Sequence, residues 1–370
     1  MSAARAWAAP HTFDEALAQL DATPFATDPV RAGRRYRQLA RLLHPDTAPA
    51  DRQRQATAAF ARLAALWRDR QRAGTRAQGG RDGLGGDPQS PPYDPEFEVP
   101  EDAAYVVGPR HRYLLGPLLA RGDIADLHPV EYRSGDRRHS AVLKIARHPR
   151  DNDLMEHEAD VLTRLDTVAE PRHRAYATAL LESFRHFEPD NTERRANVLA
   201  PLTGFHTLAE VAAAHPGGLD PRDAAWTWRR LLTGLGWAHR AGLVHGAVFA
   251  EHVLIHPELH GVVLADWCYA TAVGTDVPVL LHRHAATYPP EVRAHLPASP
   301  ATDIHLASCL VRDLMGDRAP GPMRAFLHAC TLRSQEDRPQ DAWQLLADLD
   351  DLLEGLYGPR TFRPFAMPGV

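Results

Sequence analysis

Residues 73–104 constrain the fold of this chain more than any other stretch, because they cannot contribute much to a packed core. They hold two Gly-Gly pairs and one Pro-Pro pair among few apolar side chains, a composition typical of a flexible or extended linker. A chain of 370 residues is also too long for one ordinary core. The sequence therefore predicts two unequal domains, 1–72 and 105–357, joined by this linker and followed by an apolar tail at 358–370.

The first 72 residues predict a short all-α domain built around a helical hairpin. One helix is expected over 28–43, where apolar residues recur at helical spacing at Tyr36, Leu39, Ala40 and Leu43. Pro45 ends it, since proline disfavours a helical residue before it. A second helix is expected over 52–70 and a weaker one over 13–20, so the unit resembles a hairpin with a packing helix.

The longer domain changes from strand patterns to helix patterns along its length. Strands are predicted at 113–119, 124–132, 141–146, 178–184 and 197–202, with one helix at 152–165. Helices are then predicted at 221–240, 301–315, 320–331 and 340–356. Strands first and helices later favour a two-lobed α+β domain over an alternating α/β one. The small lobe is expected at about 105–202 and the large lobe at about 203–357.

A His-Pro-Asp tripeptide follows the first hairpin helix, whose other face carries arginine. The tripeptide is His44, Pro45 and Asp46, and the arginines are Arg34, Arg37 and Arg41. A basic helix, this tripeptide and a following helix with Phe60 and Trp67 on one face together resemble the J domain of DnaJ co-chaperones. The resemblance implies docking on a DnaK-type chaperone and stimulation of its ATP hydrolysis. An arginine face suits an acidic partner surface.

Charge is distributed unevenly, which bears on the partners of the two ends. Residues 1–70 hold 11 Arg against 7 Asp or Glu, whereas the whole chain has a net charge of −5. A basic start followed by an acidic remainder indicates different partners. The excess is modest and has neither interleaved aromatic residues nor zinc-ligand spacing, which argues against nucleic acid.

Lys144 is the only lysine of the chain. The other 41 of the 42 basic residues are arginine. Arginine cannot replace a compact ammonium where the geometry is tight. Position 144 is therefore a candidate site residue before any motif is considered.

The order of motifs from about 112 to 356 resembles the eukaryotic-type protein kinase fold. Residues 141–145, Ala-Val-Leu-Lys-Ile, are similar to the strand that carries the phosphate-binding lysine. The resemblance then implies a partner for that lysine at Glu158 and a metal ligand at Asp266, with Gly122 in the loop that covers the phosphates. Together these residues would clamp ATP with Mg²⁺. The family's structural positions match Glu291, Asp303 and Arg338, and a Glu291–Arg338 ion pair is expected.

The catalytic loop departs from the family pattern. Residues 245–252 read His-Gly-Ala-Val-Phe-Ala-Glu-His. Ala247 replaces the carboxylate that accepts the substrate's proton, Phe249 replaces the phosphate-contacting lysine, and His252 replaces the asparagine that holds a second Mg²⁺. Imidazole is a poor ligand for hard Mg²⁺. The glycine-rich loop keeps only Gly122, and Cys268 replaces the glycine two residues after Asp266.

These departures predict a pseudokinase with no intact catalytic residue, which binds a client or partner protein and retains weak ATP binding. Two alternatives stay open. In the first, the domain is an unorthodox kinase or nucleotidyl transferase that uses Lys144 and Asp266, with Glu251 or water as the base. In the second, it is a structural adaptor with a closed, empty cleft. Binding of ATP with Mg²⁺ separates the adaptor from the others, and phosphate transfer separates the transferase from the pseudokinase.

The remaining features concern the cellular setting. No run approaches 18 consecutive apolar residues, so no membrane span is expected, and the first residues lack the apolar core of a secretory signal. The three cysteines, Cys268, Cys309 and Cys330, lack metal-ligand spacing and are expected to be reduced thiols in a cytoplasm. The apolar tail is expected to pack on the large lobe or on a partner.

Overall fold

The computed structural model describes residues 10, 12–21 and 104–367 except 136, with fourteen separate residues between 32 and 66. The chain forms two compact units, Met1–Phe97 and Glu98–Val370.

The first unit is helical in its described part. Helix α1 spans Phe13–Asp21, and the Thr12 hydroxyl accepts a hydrogen bond from the Glu15 amide at its start, as helix caps do. The described residues at 32–43 are helical, as are those at 55–66. One apolar cluster joins these segments, and its fully buried leucines are Leu20, Leu39, Leu43 and Leu63.

An ion pair adds a polar contact to this unit. The Arg52 guanidinium lies 2.6 Å from the Asp14 carboxylate and 4.5 Å from the centre of the Phe13 ring. The predicted chaperone-binding residues His44, Pro45, Asp46, Arg34, Arg37 and Arg41 lie outside the described residues, as does nearly all of the predicted linker. The J-domain resemblance therefore stays a prediction.

The second unit begins with a seven-stranded antiparallel sheet. Its strands are β1 Tyr105–Val107, β2 Arg112–Leu115, β3 Ala120–Arg121, β4 Ala125–Ser134, β5 Arg137–Ala146, β6 Leu180–Phe187 and β7 Glu193–Leu199. They are ordered β1-β2-β4-β5-β7-β6, and β3 pairs with β4. Because side chains alternate along β5, Leu143 enters the apolar cluster on one face of the sheet, and Lys144 points to the other face.

The rest of the second unit is mainly helical. Helix α2 (Asn152–Thr167) packs beside the sheet. The later helices are α3 Leu208–Ala214, α4 Pro221–Arg240, α5 Pro290–Arg293, α6 Pro300–Met315, α7 Gly321–Cys330 and α8 Ala342–Tyr357. Short strands lie between them: β8 His206–Thr207, β9 Leu243–Val244, β10 Val253–His256, β11 Gly261–Leu264 and β12 Thr271–Ala272. One continuous core reaches from α2 to the C-terminal tail.

The sequence patterns located the long elements well and the short ones poorly. The predicted strand at 113–119 was wrong beyond Leu115, since Gly116 and Pro117 follow and Leu119 is 60% exposed. The strand predicted at 197–202 instead ends at Leu199, two residues before Pro201. The short helix α3 was missed, although a capping box between Thr207 and Glu210 starts it.

The tail packs on the helical part of the unit. Phe365 is buried in the main core, and its ring lies 5.9 Å from that of Trp226. The Arg363 guanidinium lies 3.3 Å from the Asp223 carboxylate.

All three cysteines are buried and free. None of the helices among the described residues has the length and apolar character that a membrane span requires.

Candidate functional site

Lys144 is at the centre of a buried charge cluster. Its ammonium lies 2.6 Å from a Glu158 oxygen, contributed by α2, and 2.5 Å from Asp266 Oδ1, just after β11. Lys144 is 3% exposed and Glu158 is 2% exposed. A buried charge needs such partners, because leaving it unpaired costs several kcal/mol. The structure therefore brings together three of the residues that the sequence proposed for nucleotide binding.

The cluster keeps the lysine charged. Burial disfavours the ammonium, but the charges of Asp266 and Glu158 outweigh it and hold the pKa of Lys144 well above its usual range. Burial likewise disfavours the Asp266 carboxylate, yet the neighbouring Lys144 ammonium holds the pKa of Asp266 below its usual range. The site therefore carries one ammonium against two carboxylates.

Asn197 is a member of this cluster that the sequence reasoning missed. It is fully buried on β7, where its amide nitrogen donates to Glu158 Oε2 at 3.0 Å and to the Met155 carbonyl at 2.9 Å. Its oxygen accepts from the Ser183 hydroxyl at 2.7 Å. The amide thus orients Glu158 toward Lys144. A lone asparagine within an otherwise apolar strand end was the available signal.

Asp266 is held by unusual backbone geometry. Its φ of 58° and ψ of 47° are left-handed, a region that non-glycine residues rarely adopt. Asp266, Glu158 and the Cys268 thiol lie close enough to share a metal ion. Lys144 is already paired with both carboxylates, and burial holds the pKa of the Cys268 thiol well above its usual range. Mg²⁺ prefers oxygen ligands, and Glu158 is 2% exposed and also bound by Asn197, so Asp266, at 27% exposed, is the residue of this group that suits it.

The segment that resembles a catalytic loop is held from below by Asp303. Its carboxylate is fully buried. It accepts hydrogen bonds from the backbone amides of His245 and Gly246, both at 2.8 Å. Gly246 has a φ of +74°, and a Cβ there would meet the Tyr269 carbonyl at 2.9 Å, so glycine is required. Ala247 is fully buried and puts a methyl group where the family places a carboxylate.

The two other departures fill space that the family uses for phosphate and metal. The Phe249 ring stacks on His284 at 3.9 Å and meets Tyr288 edge-on at 5.2 Å. A cluster of three aromatic rings therefore occupies the lysine position. His252 is 2% exposed. Its Nδ1 donates to the Ala247 carbonyl at 2.9 Å, and its Nε2 lies 3.4 Å from Asp266 Oδ2.

His245 is held as a neutral imidazole. Its Nε2 donates to the Ala265 carbonyl at 2.8 Å, and its Nδ1 accepts from the Ala247 amide at 3.3 Å. Burial lowers the pKa of His245 to about 4. A second proton would have to displace the Ala247 amide.

Acid should therefore weaken the second unit through His245. Because the unfolded ring binds a proton near pH 6.5 and the folded ring near pH 4, stability should fall as the pH is lowered between these values. Between pH 6.5 and pH 4, the free energy of unfolding should fall by about 3 kcal/mol more in the parent than in His245→Gln. Urea unfolding at several pH values measures this, with the exposed His328→Gln as the control. Equal slopes in parent and His245→Gln would contradict it.

The predicted Glu291–Arg338 pair is present as a buried bidentate contact. The Arg338 nitrogens donate to the two Glu291 oxygens at 2.8 and 2.6 Å, and both residues are at most 5% exposed. The Thr302 hydroxyl donates to Glu291 at 3.1 Å. The pair joins α5 to the segment before α8, which is a structural role.

The loop between β3 and β4 carries Gly122 and Asp123. A Cβ at Gly122 would meet the Ala125 carbonyl at 3.1 Å, so the turn is tight. Asp123, which the sequence reasoning did not select, contacts Arg283, His252 and Tyr269. Glu251, the alternative base, accepts from Arg283 and from His284, both at 2.8 Å.

A cleft of about 500 Å³ lies under the sheet. Its lining includes Leu119, Val142, Pro201, Leu202 and Thr203. Val142 is on the same face of β5 as Lys144, two residues away, but Lys144, Glu158 and Asp266 do not line this cleft. A mostly apolar cleft of this kind suits a flat apolar ligand group.

Part of the chain is similar to known protein kinases. It is 31% identical over 176 residues to the serine/threonine-protein kinase PknL of Mycobacterium tuberculosis, an alignment covering 39% of this chain and 44% of that protein. PknL of Mycobacterium bovis matches to the same extent. These matches indicate a kinase-like domain. The chain spans less than half the length of these curated relatives, and no protein-family model matches it.

The kinase-like similarity agrees with the architecture of the second unit, an antiparallel sheet followed by helices. It makes ATP and Mg²⁺ reasonable ligands for the cluster around Lys144. It does not show a J domain in the first unit.

Proposed function

We propose that the kinase-like domain is a pseudokinase that binds ATP weakly and acts as a binding or regulatory module. The observation that carries the proposal is the contrast between two neighbouring groups. Lys144, Glu158 and Asp266 are paired at hydrogen-bond distances, whereas Ala247 supplies no carboxylate to accept a proton. A clamp without a base favours nucleotide binding over phosphate transfer.

Metal binding at this site would rest on few oxygen ligands. Asp266 would hold one Mg²⁺, which would supply positive charge to the phosphates. His252 stands where a second ion would need an oxygen ligand, and its nitrogen does not suit Mg²⁺. We therefore propose that the metal contributes little and that protein cations carry most of the phosphate contact.

Replacing Lys144 by alanine should weaken ATP binding by about ten- to a hundredfold, since a charge-assisted hydrogen bond contributes roughly 1.5–3 kcal/mol. Isothermal titration with ATP measures the loss, and circular dichroism at the same temperature checks that the variant is folded. Arg137→Ala, an exposed cation at the other end of β5, is the control. Equal affinities in Lys144→Ala and parent would refute the clamp.

The unorthodox transferase remains the alternative. It needs a base, and Glu251 is the nearby carboxylate that the sequence offers. Its Oε1 already contacts Arg283 and His284, both at 2.8 Å, so a substrate hydroxyl would have to compete with these groups for that oxygen. This disfavours Glu251 as a base, but phosphoryl transfer depends more on positioning than on the base. An adaptor with an empty cleft would instead bind no ATP at all.

We further propose that residues 1–72 form a J domain that recruits a DnaK-type chaperone and stimulates its ATPase. The proposal rests on His44, Pro45 and Asp46, with support from the buried leucines that join the helical segments of this unit. The whole protein would then be a cytoplasmic co-chaperone. Its kinase-like domain would bind a client or partner protein and present it to the chaperone.

His44→Gln should abolish stimulation of the chaperone's ATPase, because the tripeptide makes the contact that the resemblance assigns to it. Single-turnover ATP hydrolysis by a DnaK-type chaperone with the full-length chain measures this. His11→Gln makes the same change elsewhere in the domain and should keep the stimulation. Full stimulation by His44→Gln would remove the J-domain function, even if circular dichroism shows intact helices.

A further inference from the structure

The Asp123 carboxylate is bound by three side chains from distant parts of the chain. The Arg283 guanidinium contacts both of its oxygens, with Nη2 donating to Oδ2 at 2.8 Å. His252 Nε2 lies 3.5 Å from Oδ2, and the Tyr269 hydroxyl donates to the same oxygen at 3.4 Å. Asp123 is only 14% exposed. The tip of the β3–β4 loop thus contacts residues that follow β9 in the chain.

The bound carboxylate lies next to the Lys144 cluster. His252 Nε2 is 3.5 Å from Asp123 and 3.4 Å from Asp266 Oδ2, while the other oxygen of Asp266 is 2.5 Å from Lys144. One imidazole therefore separates Asp123 from the residues that would clamp a nucleotide. A phosphate that contacts the Lys144 ammonium would therefore lie close to the space that Asp123 fills.

The groups around Asp123 are those that bind phosphate. A guanidinium fork matches carboxylate and phosphate oxygens equally, and a phenol donates a neutral hydrogen bond. No metal is needed for these contacts. The chain thus places a guanidinium, that of Arg283, near the position where the family pattern would have a second Mg²⁺.

The contact can open without leaving an unpaired cation. Arg283 is 45% exposed and also lies 2.8 Å from Glu251, so it keeps one carboxylate when Asp123 leaves. Asp123 lies in the short loop between β3 and β4, and outward movement would expose it to water. Opening therefore costs far less than breaking a fully buried pair.

We propose that Arg283 and Tyr269 form a phosphate-binding subsite, and that Asp123 occupies it as an internal substitute for a phosphate group until a nucleotide displaces it. This inference rests on the proposed nucleotide binding and extends it to the residues that contact the phosphates. Only molecules whose subsite is open can bind ATP. The apparent affinity of the parent is therefore the affinity of the open form multiplied by the open fraction. Binding through this subsite should persist when divalent metal is removed.

Asp123→Asn should raise the affinity for ATP about tenfold in EDTA, since it removes the competing charge with little change of shape. Inorganic tripolyphosphate should show the same gain, because it tests the subsite without the base. Asp126→Asn makes the same change three residues away from Asp123 on the chain, where the carboxylate faces Arg121 at 3.4 Å, and should leave both affinities unchanged. Isothermal titration measures all of them.

Arg283→Gln, added to Asp123→Asn, should lose about ten- to a hundredfold in affinity for both ligands. Arg293→Gln, an exposed arginine on α5, is its control in the same background. Circular dichroism and thermal melting check that each variant is folded before it is titrated.

The outcomes separate the inference from the proposed function. If the parent binds ATP and Asp123→Asn binds no tighter, the substitute role is overturned while nucleotide binding stands. If tripolyphosphate binds Asp123→Asn in an Arg283-dependent way and ATP does not bind any variant, the subsite stands and nucleotide binding falls. If neither ligand binds any variant, both are overturned. Unchanged affinity on adding Arg283→Gln would remove Arg283 from the subsite.

Discussion

The purified protein should transfer phosphate to itself or to generic substrates far more slowly than an active kinase. Loss of a general base alone typically lowers the rate on the order of 10²–10⁴-fold, and active kinases turn over at about 1–100 per second. Here Ala247 is at the base position, and Phe249 stacks on His284 at 3.9 Å where a phosphate-contacting lysine would be. These losses act on one transition state and need not add, but none favours transfer.

Labelled ATP with the parent and with Asp266→Ala measures this prediction. Transfer at background level in both is expected. Robust transfer that disappears in Asp266→Ala would contradict the pseudokinase proposal and favour the unorthodox transferase. Glu251→Gln would then decide the base: a rate that falls with Asp266→Ala but not with Glu251→Gln would leave water or positioning alone in that role.

Arg338→Met should lower the free energy of unfolding of the kinase-like domain by about 3–5 kcal/mol, the usual effect of removing one partner of a buried ion pair. Glu291 would remain buried with only the Thr302 hydroxyl as a side-chain donor, and the Ala301 carbonyl would lose its bond from Arg338. Urea unfolding followed by tryptophan fluorescence measures the change.

An exposed pair provides the matched control. Arg174 lies 2.5 Å from Asp166, and both side chains are more than half exposed, so Arg174→Met should cost less than about 1 kcal/mol. The double variant Glu291→Leu/Arg338→Met should recover part of the loss, because no charge remains buried. A similar effect of Arg338→Met and Arg174→Met would contradict the role given to the buried pair.

The sequence by itself determined the long elements and the residues whose type has a direct physical meaning. The helix predicted at 221–240 is α4, Pro221–Arg240, because a long amphipathic stretch with a proline start and an Asp cap is specified locally. Lys144 was recognised from its uniqueness alone. Its pairing with Glu158, and that of Glu291 with Arg338, followed only from the resemblance to kinases, whereas its contact with Asp266 was not predicted.

Only the tertiary structure decided which other side chains meet at the candidate site. Asp123 and Arg283 are 160 residues apart, and Asn197 reaches Glu158 across 39. Spacing along the chain reports which face of an element is buried, because backbone geometry repeats every 3.6 or 2 residues. It carries no information on which loop tip a distant arginine will contact, since such contacts arise only when separate segments are folded against one another.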